Sequence, residues 1–210
     1  CKMVVRHPQE QDRKITFKKI TMKNSPPPPK PWIVDHPKAF VLGCDPTAFY
    51  VEPDGKKLPL VFKTVFDIDG PDGRYFSGIR NNLLVLDLHF ETDVYVQNLV
   101  VDYQPAETSK NKNWNNEALK SISDRKHEFD AVDPSGRVPV FLTSERLYKV
   151  LMNEGKPLAT ATELYQQENV VIPAEKNKLG RPMIALYRHP KYHYKKQNPY
   201  FVKVRKALSL

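Results

Sequence analysis

A chain of 210 residues, 40% hydrophobic and 10% aromatic, is long enough to bury a substantial core within one domain. It has no run of about 18 apolar residues, which excludes a membrane-spanning helix, and no signal-peptide pattern, so the expectation is an intracellular, non-secreted protein without a membrane partner. The net charge of +9 is concentrated: from Lys176 onward ten Lys or Arg meet no Asp or Glu, and the remainder is close to neutral.

Residues 1–24 are basic and weakly patterned, and Ser25–Trp32 (SPPPPKPW) reads as a polyproline II connector, because proline fixes φ and cannot donate to a ladder. A docking arm or linker is favoured over a proline-recognition ligand. The chain thus divides into a basic, proline-rich arm (1–32) and a domain (33–210). Within the domain, short β-branched or aromatic runs at 39–43, 60–66, 94–101, 138–143 and 183–187 predict strands. Between them, 76–88, 114–129 and 144–155 have helical spacing, the last with Ser144 as N-cap, and a closing helix covers 198–210. Strand–helix alternation predicts a three-layer α/β/α fold around a mostly parallel sheet.

Two motifs fall just past predicted strands: Gly43-Cys44-Asp45-Pro46-Thr47, and Arg188-His189-Pro190-Lys191-Tyr192-His193. Ligands of open α/β sheets bind beyond the carboxyl ends of the strands, so Asp45 and His189 are expected to converge on one cleft, joined by Asn98 at the end of VYVQN. Each has a plainer reading: an Asp-Pro turn, a capped surface histidine, an amide satisfying a strand end. His189 and His193 have the spacing of a helical metal pair, but Pro190 makes His189 extended, and no metal is expected. Two cysteines, Cys1 and Cys44, cannot supply a disulfide framework, a four-cysteine zinc site or an iron–sulfur cluster, so no cofactor is expected either. In the basic C-terminal segment Tyr187, Tyr192, Tyr194, Tyr200 and Phe201 alternate with cations. Cations neutralise phosphates and aromatic rings stack on bases, which points to nucleic acid; a solvated basic helix with its rings in the core is the alternative.

In their order along residues 38–208, these pieces resemble the uracil-DNA glycosylase superfamily. GCDPT is similar to its Gly-x-Asp-Pro motif, RHPKYH to the His-Pro that opens its DNA-penetrating loop, and VYVQN followed by a small-residue loop and Trp114 to the segment carrying its base-reading Asn. The resemblance implies a monofunctional glycosylase of base-excision repair, acting as a monomer on uracil or a related damaged base flipped out of single- or double-stranded DNA. It gives Asp45 the role of orienting water and stabilising the cationic sugar, His189 that of a hydrogen-bond donor to the departing base, and Asn98 that of reading the base edge. Phe62 is the expected stacking ring, with Phe66 second, and the backbone N–H of Cys44 joins the base pocket. Lys191, Tyr192 and His193 would meet DNA in the penetrating loop, and Lys195 and Lys196 would clamp phosphates. Thr47 stands where the best-known branch has a tyrosine that excludes thymine, implying relaxed specificity. A catalytically silent nucleic-acid-binding or scaffold protein is the alternative.

Overall fold

The computed structural model describes residues 25–70, 73–154, 163, 166–187 and 199–209. In chain order it contains β1 (Ala39–Gly43), a hairpin of β2 (Phe49–Val51) and β3 (Lys57–Pro59), α1 (Ser77–Val85), α2 (Phe90–Asp93), β4 (Val94–Asn98), α3 (Trp114–Val132), β5 (Val140–Leu142), α4 (Glu145–Leu151), β6 (Val171–Ile172), β7 (Met183–Ala185) and α5 (Pro199–Leu208). The apolar runs form a five-stranded sheet of order β4-β1-β5-β7-β6. The first four strands are mutually parallel and β6 runs antiparallel to β7.

Side chains alternate across this sheet. Phe40, Leu42, Tyr95, Val140 and Leu142 pack with Trp114, Ala118 and Phe129 of α3 and Leu147 and Leu151 of α4. Ala39, Val41, Val94, Val96 and Phe141 pack with Ile79 and Leu83 of α1 and with Phe201 and Val204 of α5. The fold is therefore mixed α/β, with helices against both faces of a mostly parallel sheet, as a three-layer arrangement requires. Ser144 caps α4 as its residue type predicts, its Oγ accepting from the Arg146 N–H at 3.2 Å. Among the described residues no helix is long and apolar enough to cross a membrane.

The strand expected over 60–66 is not part of the sheet. Its backbone groups have other partners: the Phe62 N–H donates to the Tyr103 hydroxyl at 2.7 Å, and Lys63 O accepts from the Lys30 N–H at 3.0 Å. The segment then tightens into a 3-10 turn at Val65–Asp67. The end of the proline-rich stretch lies against the same region. Val65 N–H donates to Lys30 O, and Trp32 exchanges two backbone bonds with Val96 (3.0 and 2.9 Å), so that the outer edge of β4 is partly covered.

The end of α3 is tied to the start of β7 by Arg181, which is fully buried. Its guanidinium donates to Asp133 at 2.7 Å, to Asp130 at 2.8 Å and to Phe129 O at 2.9 Å, and lies over the Phe40 ring. Burial raises the Asp133 carboxyl's pKa, but hydrogen bonds from Ser135, the Val138 N–H and Arg181 outweigh it, leaving the pKa at about 2, below the ordinary 3.8. Because the folded value lies below the unfolded one, this stabilisation is complete above about pH 5 and disappears as the pH falls toward 2. Asp133→Asn should therefore remove roughly 2 kcal/mol of unfolding free energy at neutral pH and flatten its decline between about pH 4 and pH 2. Urea titrations at each pH measure both; an unchanged acid slope would remove Asp133 from this role.

Candidate functional site

The sheet topology sets where a site can form. From β1 the chain crosses first to β4 on one side and later to β5 on the other, so the crossover direction reverses between β1 and β5. Ligands of open α/β sheets bind outside the carboxyl ends of the strands at such a reversal. A cleft of about 750 Å³ opens there, lined by Asp45 beyond β1, Asn98 ending β4, Thr143 beyond β5 and Tyr187 beyond β7.

Asp45 is held at both carboxylate oxygens. Its Oδ1 accepts from the Thr47 N–H at 2.9 Å, the side-chain turn that Asp favours at a chain reversal, and its Oδ2 accepts from the Thr108 hydroxyl at 2.6 Å. The loop carrying Thr108 is strapped down in turn. The Gln104 N–H donates to the Thr47 hydroxyl, and Arg146 of α4 donates to the carbonyls of Thr108 and Ser109 while its guanidinium lies over the Trp114 ring. Neither Thr108 nor Arg146 stood out in the sequence. Their connection to Asp45 is visible only when residues 45, 108 and 146 come together, and the one local signal was the small polar character of Thr108-Ser109.

Asn98 is 1% exposed, and among the described residues its Oδ1 has no hydrogen-bond partner. A buried acceptor without a donor costs about 1–3 kcal/mol, and this one belongs to a residue lining the cleft. The parallel register places Asn98 opposite Gly43. A Cβ at Gly43 would stand 2.5 and 2.8 Å from two carbons of the Phe66 ring and closer still to Asn98 Oδ1. Glycine is thus required here for proximity, and it lets the amide and the ring meet across one residue. Phe66 takes φ 55° and ψ 15°, a left-handed backbone that is uncommon for a bulky side chain.

Cys44, Asp45, Thr47, Phe62 and Asn98 all line the cleft, as does Phe66. Phe62 is buried with its ring 5.0 Å from that of Tyr75, whereas Phe66 is the ring beside Gly43 and Asn98. His189, Lys191, Tyr192, His193, Lys195 and Lys196 lie outside the described residues. Tyr187, the last described residue before them, lines the cleft. No group of three or more His, Cys, Asp or Glu that could hold a metal ion occurs among the described residues. Comparison of the chain with protein-family models and with curated proteins finds no match.

Gly43→Ala tests the close approach. The added methyl must displace the Asn98 amide or the Phe66 ring, and overpacking of this kind costs about 1–3 kcal/mol. Denaturant titration should show that loss, and a variant as stable as the parent would mean that the two groups are not held against Gly43.

Proposed function

We propose that the protein is a DNA glycosylase of the uracil-DNA glycosylase type, hydrolysing the N-glycosidic bond of uracil or a related base flipped out of DNA. One observation carries the reading: a carboxylate restrained at both oxygens and a buried amide whose acceptor has no partner among the described residues line a single cleft at a topological reversal. Base hydrolysis calls for this pair of groups. The Asn98 amide offers an acceptor for uracil N3–H and a donor for its 4-oxo group, and cytosine presents the opposite pattern. Phe66, beside Asn98, is assigned the stacking face; Phe62 also lines the cleft, with its ring against that of Tyr75. The Asp45 carboxylate orients the attacking water and stabilises positive charge developing on the sugar. The water's oxygen bonds to the anomeric carbon as the C–N bond breaks, the electron pair leaves with the base, and the proton released by the water passes to the Asp45 carboxylate. His189 follows Tyr187 by two residues and is assigned the hydrogen bond to the base oxygen that gains charge. Residues 191–196 are assigned to the DNA backbone and to the gap that the flipped base leaves.

Asp45→Asn should slow single-turnover release of uracil from an oligonucleotide by at least a hundredfold, with DNA affinity nearly unchanged, because the lost charge acts in the transition state. Equal loss of affinity and rate would overturn this role for Asp45. A wild-type protein that binds the oligonucleotide and releases no base would favour the silent-binder alternative.

Thr47 leaves the wall beside the pyrimidine C5 edge less bulky than a tyrosine would, and its hydroxyl is turned to the Gln104 N–H. We therefore assign the site relaxed specificity, since excluding one methyl from an apolar pocket is worth only about 1–3 kcal/mol. In competition, oligonucleotides carrying 5-hydroxymethyluracil should be processed within about two hundredfold of uracil. Rejection beyond about a thousandfold would show that another side chain closes the pocket.

A further inference from the structure

Asn98 is held from behind by a polar relay that runs from the buried Gln97 to the half-buried Glu128. In β4 the N–H groups of Gln97 and Leu99 fall on the side of β1, where Leu99 N–H donates to Gly43 O at 2.8 Å. Those of Val96 and Asn98 fall on the outer edge. Trp32 O accepts from Val96 N–H at 2.9 Å, but the bridge to Trp32 extends no further toward the cleft. The Asn98 N–H donates instead to Oε1 of the preceding residue, Gln97, at 2.9 Å. Gln97 is itself 4% exposed, and its Nε2 donates to Glu128 Oε1 of α3 at 3.1 Å. Glu128 also receives the Tyr95 hydroxyl at 2.5 Å and the Arg125 guanidinium. Burial and the neighbouring carboxylate push the Tyr95 phenol well above its ordinary pKa, so it remains a donor.

A carboxylate offers only acceptors, whereas a carboxamide has one end of each kind. Glu128 therefore fixes which end of Gln97 faces α3 and leaves the oxygen facing the Asn98 N–H. We propose that Gln97 is a positioning residue for Asn98, oriented by Glu128, and that this relay from α3 sets the angle at which the base-reading amide enters the cleft. The role in catalysis rests on the glycosylase reading above; the mechanical link from Glu128 to Asn98 does not.

The test is a double-mutant cycle read in two ways. Gln97→Leu should slow single-turnover uracil release by about ten- to a hundredfold in the parent, as small misplacements of a reacting group do, and by less than about threefold in an Asn98→Ala background. A merely structural Gln97 would cost the same in both backgrounds, and that result overturns the proposal. The second readout needs no activity: amide hydrogen exchange at the Asn98 N–H should accelerate at least tenfold relative to Leu99 in Gln97→Leu. Glu128→Gln, which keeps the shape and two of the donors' partner, should show a smaller change in the same direction and serves if Gln97→Leu does not fold. Unchanged Asn98 exchange in both variants refutes the relay, whatever the activity. If the wild type releases no uracil while the exchange result holds, the glycosylase reading fails and the relay stands.

Discussion

The site is organised by a contact distance. At the carboxyl end of the parallel pair β1–β4, Gly43 faces Asn98, and there is no room between them for a single carbon. That absence allows a buried amide and the Phe66 ring to share one corner of the cleft, and it places both beside the turn that presents Asp45. All five residues of β1 and of β4 are buried, and their parallel register, Gly43 opposite Asn98, is the pairing that sets this corner.

Helix α3 does more than cover one face. Its first residue, Trp114, underlies the Arg146 guanidinium that straps the Thr108 loop, and its C-terminal turns present Glu128 to Gln97 and engage Arg181 through Asp130 and Phe129 O. Three separate walls of the cleft, at Asp45, Asn98 and Tyr187, are thereby referred to one rigid element. A site built this way keeps its geometry through packing rather than through the loops alone, as catalytic groups require when small displacements cost large factors in rate.

Much of this was legible in the sequence, for identifiable reasons. Buried parallel strands are short, continuous apolar runs, so β1, β4, β5 and β7 announced themselves, and Ser144 marked the start of α4 by its capping chemistry. That Asp45 and Asn98 would meet at one cleft was readable because Asp45 follows such a run and Asn98 ends one, at the carboxyl edge of the sheet. The expectation failed at 60–66, where a β-branched and aromatic run imitates a strand but the chain finds its partners in Lys30 and the Tyr103 hydroxyl. Periodicity cannot register a partner supplied from elsewhere in the chain. The hairpin of β2 and β3 was missed because its Tyr50, Val51 and Leu58 are exposed and carry no burial pattern. Thr108, Arg146 and the Gln97–Glu128 relay are products of tertiary proximity, and the separation of 31 residues between Gln97 and Glu128 leaves no local trace.

The buried clamp at Arg181 has a consequence for the order in which the molecule is assembled. β5 pairs with β1 on one side and with β7 on the other, and β7 follows directly on the arginine. Until a nascent chain has delivered residues 181–185, the β5 edge is a row of unpaired parallel backbone groups, and Asp133 at the end of α3 lacks the buried guanidinium it pairs with. Synthesis of the segment from Arg181 to Tyr187 therefore pairs the β5 edge, supplies the buried cation at the end of α3 and adds a wall of the cleft. A nascent chain is most exposed to self-association through β5 just before that segment is made.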